Sequence, residues 1–308
     1  MTEQFSVIGK NLPRIDAIDK VTGGAKYAPD LSIRGMLYGA VLRSPHPHAR
    51  VLKVDATKAK SLKGFRAMVT IEELPRVVGY WFLLRSEKKE KDMFLRDNVV
   101  RFIGDPVLAV AAEDEETALR AVSMIDVTYE PLPSILAPYD ALDRKDVKIH
   151  EKGNTAFHVT KHFGNVDQGF QEADYVIENR FVTSKQKHAA LEPIGTCIAD
   201  YDAGGKLTVH TSTQLPNWSQ IYLARALGLP NTRVRVIKPY TGGAFGGRCG
   251  LIHGLEVMCS FLSKRTGKPV RMSFSRSEDF IGTETRHPMT IDIKTGVTKD
   301  GILTANSI

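Results

Sequence analysis

The stretch from Val234 to Gly250, V-R-V-I-K-P-Y-T-G-G-A-F-G-G-R-C-G, holds the residues best suited to grip a ligand through the main chain. Glycines stand at 242, 243, 246, 247 and 250, between a β-branched run and an apolar helical pattern that begins at Leu251. Ordering a glycine costs more backbone entropy than ordering any other residue. Such a cluster therefore suits a chain that must take unusual dihedrals, or approach another group closely, with its N–H groups aimed at it. The chemistry this predicts is a cradle of neutral donors for one end of a bulky oxyanionic cofactor. The plainer alternative is a connection that lets a strand and a helix pack closely.

Gly242 and Gly247 have the spacing of the glycines in a phosphate-binding G-x-x-x-x-G-K-[S/T] loop, which also lies between a strand and a helix. The next two positions break that pattern. Arg248 does not replace the compact charge of a lysine, and the thiol of Cys249 is a poor magnesium ligand beside a hydroxyl. A nucleotide-binding protein using this loop stays as an alternative. His188 and Glu192 share one short segment and invite an acid/base reading, although packing or hydrogen bonding is the simpler role. His46 and His48 lie two apart in S-P-H-P-H with no third ligand nearby, which favours a structural role over metal binding.

Several elements must position these residues. Strands are expected at Met36–Arg43, Val51–Asp55 and Arg66–Thr70, and two more around the turn Gly104-Asp105-Pro106 in the run 99–112. Asp114 is placed to cap a helix running to Ile125. A linker over 145–155 precedes strands at Tyr175–Thr183, Thr196–Asp202 and Leu207–Thr211, the last two joined by a hairpin at Ala203-Gly204-Gly205. A helix starts at Pro216 and stops at Gly228, and another runs from about Leu251 to Arg265. Pro269–Phe274 is a strand, Arg276–Asp279 a turn, and Met289–Val297 opens a hairpin through Thr298-Lys-Asp-Gly301. Many strands with few and mostly short helices describe an α+β chain.

With 308 residues, 42% hydrophobic and 25% charged, the chain has room for about two globular domains. The formal net charge is +7, but cations and anions interleave, as in R-S-E-K-K-E-K-D at 85–92. That run reads as a solvated loop, so no nucleic-acid partner is expected. No apolar run approaches the roughly 20 residues that span a bilayer. Three cysteines, at 197, 249 and 259, show neither C-x-x-C nor metal-ligand spacing. Together with an N-terminus unlike a signal peptide, they predict a reducing, cytoplasmic setting.

The motifs D-K-V-T-G-G-A-K-Y, L-R-S-P-H-P-H-A-R, V-R-F-I-G-D-P-V-L-A-V-A-A, V-T-Y-E-P-L-P, S-T-Q-L-P and G-G-A-F-G-G-R occur in this order across nearly the whole chain. In that order they resemble the molybdenum-binding subunit of the xanthine dehydrogenase and aldehyde oxidase family. The wording is nearest to the bacterial hydroxylases and the large subunit of 4-hydroxybenzoyl-CoA reductase. The resemblance implies an α/β hammerhead domain over residues 1–150, with its core at about 19–135. Residues 151–308 would then be the first, incomplete part of a molybdopterin-binding domain. Gln214 stands thirty-one positions before Phe245, as in the family. The resemblance implies that the Gln214 amide hydrogen-bonds the apical oxygen ligand of molybdenum, and that the backbone N–H groups of Gly243, Ala244 and Phe245 meet the cofactor. It implies no direct metal ligand in this chain.

Two departures matter. Ala244 stands where the family has glycine, and Cys249 where purine-oxidising members have glutamate. Cys249 is thus a substrate-pocket candidate that argues against xanthine, with a buried structural thiol as the other reading. The family's later motifs, A-[F/Y]-R-G and Q-G-x-G-E with its general-base glutamate, do not occur here, so no catalytic residue is expected in this chain. The expectation is an oxidoreductase portion, from a split subunit or a truncated frame, that is inactive without a chain carrying the remaining half. The implied substrate is an aromatic heterocycle, an aldehyde or an aromatic CoA thioester. The implied cofactor is molybdenum–molybdopterin, with the cytosine dinucleotide form as an option. Iron–sulfur (2Fe-2S) and FAD partner subunits would complete a hetero-oligomer. A non-catalytic assembly or scaffold fragment of such a complex is the rival reading.

Overall fold

A strand with both faces covered reads as a near-continuous apolar run, and P-V-L-A-V-A-A at 106–112 is buried at every position. In the computed structural model, residues 5–74, 98–150, 153–155, 158–191, 195–249 and 254–308 are described. The expectations for 85–97, Glu192, Gly250 and Leu251 fall outside them.

The first part of the chain forms α1 (Ala17–Val21), β1 (Leu37–Arg43), β2 (Ala49–Asp55), α2 (Thr57–Lys60), β3 (Phe65–Thr70), β4 (Val99–Val100), β5 (Pro106–Ala112), α3 (Glu115–Ser123), β6 (Asp126–Pro131) and α4 (Pro138–Asp143). There follow α5 (Val166–Gln171), β7 (Tyr175–Val182), β8 (Gln186–Lys187), β9 (Thr196–Tyr201), β10 (Leu207–Thr211), α6 (Pro216–Leu227) and β11 (Val234–Ile237). The last elements are α7 (Leu255–Thr266), β12 (Val270–Ser273), α8 (Arg276–Gly282), β13 (Thr285–Arg286), β14 (Thr290–Val297) and β15 (Leu303–Ser307). No described helix is long and apolar enough to cross a membrane.

Seven strands form one mixed sheet in the order β11-β10-β9-β12-β1-β5-β3. It crosses the boundary expected near residue 150, because β1 pairs in parallel with β12 through Leu37–Val270, Tyr38–Arg271 and Gly39–Met272. The alternation of β5 explains why it is buried on both sides. Ala109 and Ala111 join the main core with Leu255, Met258 and Leu262 of α7. Leu108, Val110 and Ala112 point the other way, onto Ala118 and Ala121 of α3. Two three-stranded sheets, β4-β2-β6 and β15-β14-β7, flank this assembly.

Local signals mostly act as their chemistry suggests. The Asp114 side chain accepts from the Thr117 N–H at 2.7 Å and caps α3. Gly228 ends α6 with φ of 65°. The expected turn at Arg276–Asp279 is instead the start of α8. Its capping box closes as the Ser275 N–H donates to Glu278 Oε2 at 2.8 Å and the Glu278 N–H to Ser275 Oγ at 3.2 Å.

Arg43, at the end of β1, fastens the first region to α8. Its Nη1 donates to Gly104 O at 2.9 Å and its Nε to Glu278 Oε1 at 3.1 Å, while its guanidinium lies 4.3 Å from the Phe274 ring centre. Burial lowers the Arg43 pKa, and the Glu278 charge opposes that shift. Gly104 completes the contact. With φ of 97°, its Cβ position lies only 2.6 Å from the backbone oxygen of Ile281. Gly104→Ala is therefore expected to cost roughly 2–3 kcal/mol in urea denaturation, through a forbidden dihedral and a backbone collision together.

Candidate functional site

β10 and β11 lie side by side in parallel, so the segments leaving their C-terminal ends emerge at one edge of the sheet. One is Ser212–Gln214, which runs into α6. The other is the glycine loop, which lies between β11 and α7. The entry motif at 19–27 braces this edge. Tyr240 donates its hydroxyl to Asp19 Oδ2 at 2.6 Å, and its N–H to Lys26 O at 3.3 Å.

Thr213 is fully buried, and its Oγ1 accepts from the Leu215 N–H at 3.1 Å and from Ser219 Oγ at 3.0 Å. That fixes the next residue. The Gln214 N–H donates to Arg248 O at 2.9 Å. Its side-chain Oε1 accepts from the N–H groups of Gly246 (3.1 Å) and Arg248 (3.3 Å) and from Cys249 Sγ (3.4 Å). Backbone N–H groups only donate, so the carbonyl end of the amide must face the loop. The Nε2 end has no protein acceptor among the described residues.

The loop takes left-handed or extended-positive dihedrals at Gly243 (φ 120°), Phe245 (φ 51°) and Gly246 (φ 89°). Ala244 is not among the positive-φ residues, so its Cβ meets no left-handed penalty there. Phe245 carries the strain instead, worth about 1–2 kcal/mol, and its ring is 73% exposed. The N–H groups of Gly243, Ala244 and Phe245 donate to no described residue. Three successive backbone donors thus stand open beside the Gln214 amide.

Arg248 does not join them. It is 1% exposed and donates from Nη1 to Ser212 O at 3.2 Å, so its guanidinium lies inside the protein. Glu256 is buried nearby in the chain's own interior, accepting from Thr211 Oγ1 at 2.9 Å. A nucleotide-phosphate reading, which needs a cation at this point of the loop, loses its residue. Cys249 is half-buried, and burial, followed by the charge of Glu284, pushes its thiol up. At neutral pH it is an uncharged wall.

The remaining candidates are structural. His48 is buried with Nδ1 2.6 Å from Pro133 O, and His46 lies against Tyr129 at 4.9 Å between ring centres. The His188 Nδ1 lies 3.2 Å from Glu284 O, and a Cβ on Gly247 would sit 2.8 Å from that same nitrogen. His188 therefore packs against the loop at Gly247. The described residues contain no group of three or more histidine, cysteine or acidic side chains able to hold a metal. Sequence reasoning did not identify the support given by Lys187, whose Nζ donates to Thr283 O at 2.5 Å, or by Arg276.

Comparison with known proteins matches residues 22–133 to the aldehyde oxidase and xanthine dehydrogenase a/b hammerhead domain, and 149–308 to the molybdopterin cofactor-binding domain. The chain is 38% identical over 307 residues to the nicotinate dehydrogenase large molybdopterin subunit of Eubacterium barkeri, covering 99% of this chain and 70% of that one. It is 37% identical over 301 residues to the putative xanthine dehydrogenase molybdenum-binding subunit of Escherichia coli (strain K12), covering 96% and 40%. The solved structure of quinoline 2-oxidoreductase from Pseudomonas putida 86 matches with a TM-score of 0.88 and 26% identity, over 97% of this chain and 38% of that one. This chain therefore spans only about four-tenths of the latter two proteins.

The raised thiol of Cys249 gives a direct check. Its alkylation by iodoacetamide at pH 8 is expected to be several-fold slower than that of free cysteine, and to rise as pH passes above the ordinary thiol range. Peptide mass spectrometry reads this site separately from the fully buried Cys197 and Cys259.

Proposed function

The chain belongs to the molybdenum-binding subunits of the xanthine dehydrogenase and aldehyde oxidase family, and we propose that it supplies one wall of the molybdopterin site in a hydroxylase. The observation that carries this reading is that Gln214, bonded through Oε1 to the loop at Gly246 and Arg248, leaves its Nε2 without a protein acceptor beside a loop whose Gly243, Ala244 and Phe245 N–H groups are also open. The donor set fits the group. All four are neutral, none competes as a metal ligand, and the oxo, carbonyl and phosphate oxygens of a molybdopterin are acceptors.

When bound, molybdenum–molybdopterin supplies two-electron oxidation of an electron-poor carbon. This chain's residues bind and orient it. Gln214, locked through Oε1, would offer its Nε2 donor to an oxygen of the group, and the loop amides would offer theirs beside it. The exposed Phe245 ring shields that face from water. Cys249, bonded to the same Gln214 oxygen, lines the substrate side with a neutral thiol. A neutral wall suits an aromatic heterocycle that does not depend on a carboxylate contact, and the names of the nicotinate and quinoline enzymes are in keeping with that class.

The general base and the opposite wall are assigned to polypeptide outside these residues, in the same or a complementary chain. In support, the same stretch covers 70% of one relative but 40% of another, so molybdopterin subunits of the family differ widely in length. Iron–sulfur and FAD partner subunits would accept the electrons such a cofactor supplies.

The test is Gln214→Ala in the complete complex. Loss of one preorganised donor is expected to lower kcat roughly 100-fold, while circular dichroism and thermal unfolding of this chain stay near wild type. An unchanged kcat with full molybdenum content would remove Gln214 from the site.

A further inference from the structure

Behind the glycine loop lies the bend His188–Leu191, and its geometry is strained. Ala189 has φ of 42°, a conformation that costs an alanine about 1–2 kcal/mol. Something must hold it. Arg276, the first residue of α8, donates from Nη1 to Ala190 O and from Nη2 to Leu191 O, both at 2.8 Å. Two parallel bonds to successive carbonyls use the planar fork that arginine has and lysine lacks. The same helix and the two residues after it hold the rest of the bend, since Lys187 Nζ donates to Thr283 O and His188 Nδ1 meets Glu284 O.

The other side of the bend touches the cradle. A Cβ on Gly243 would lie 3.3 Å from the Ala190 Cβ, and a Cβ on Gly247 only 2.8 Å from the His188 ring. There is thus no free space between the bend and the loop. A shift of the bend transmits directly to the backbone whose N–H groups are open. α8 in turn cannot drift, because Arg43 binds Glu278 from the sheet side.

We propose that Arg276 is a positioning residue for the cofactor cradle: by pinning the strained Ala189–Leu191 bend against Gly243 and Gly247, it fixes the dihedrals that aim the loop amides. The inference rests on the cradle reading of the previous subsection. Without the fork, Ala189 relaxes toward negative φ, Ala190 and His188 withdraw, and the loop gains freedom that a cofactor must then restrict on binding.

Two readouts test it. On this chain alone, hydrogen exchange of the Gly246, Gly247 and Arg248 amides is expected to quicken at least tenfold in Arg276→Ala, with α7 and β9 unchanged. In the complex with the polypeptide that completes the site, pterin retained through gel filtration, measured as fluorescent oxidised pterin, is expected to fall at least threefold. Arg276→Lys restores less than half of that loss. Ala189→Gly in the Arg276→Ala background restores more than half, since glycine takes φ of 42° without strain. Gly243→Val serves as the control for the cradle itself. If it releases the pterin while Arg276→Ala keeps both wild-type exchange and retention, the positioning role is overturned and the cradle stands. Failure of Ala189→Gly to rescue also overturns that role. Retention by Gly243→Val overturns the cradle, and the inference with it. Arg276→Lys reads the same quantities if Arg276→Ala does not fold.

Discussion

The parallel pairing of Leu37–Gly39 with Val270–Met272 sets the geometry on which the candidate site depends. α8 follows β12 after only two residues, so the register of this one pair decides where α8 lies. Arg43 leaves the same β1 strand and reaches Glu278 on α8. Slipping the pair by one residue would reverse which face each side chain occupies, and Arg43 would lose both Glu278 and Phe274. Gly39 shows how close the fit is: a Cβ there would come 2.5 Å from Met272 Cγ. Sheet register, α8, the 188–191 bend and the glycine loop therefore form one mechanical series. Through that series the first region bears on the loop, and its Asp19 and Lys26 accept from Tyr240 ahead of the glycines.

Features written within a few residues were legible in the sequence. The burial of β5, the Asp114 cap and the Gly228 stop each depend on side chains local to the element. α8 was missed although its S-R-S-E capping signature is present, because seven residues carry too little apolar periodicity to outweigh a turn-like composition. The pairing of β1 with β12 joins segments more than two hundred residues apart, and no local pattern records it. The same distinction divides the site. The Gln214–Phe245 spacing follows from the resemblance, and the open amides follow from the glycines. The strain at Ala189 has no sequence signal, since alanine is unremarkable in type and only the surrounding packing forces its dihedral. The His188 imidazole, for which packing or hydrogen bonding is the simpler reading, lies where a side chain on Gly247 would otherwise go.

The chain's net charge of +7 taken alone suggests that an anionic ligand is drawn in by cations. The cradle argues otherwise. Arg248, the cation within the loop, is turned inward and buried, and Cys249 beside it is kept neutral by burial. Among the described residues, the groups left open at the proposed cradle are backbone N–H groups and one carboxamide. Fixed dipoles of this kind need no reorganisation as charge on the bound group changes. A full positive charge in the same place would favour the more negative redox state by several kcal/mol at low effective dielectric. A redox cofactor must pass through both states in each turnover. On the proposed reading, directional neutral donors would hold it in both, and the strained loop, the locked glutamine and the clamped bend would keep those donors in place.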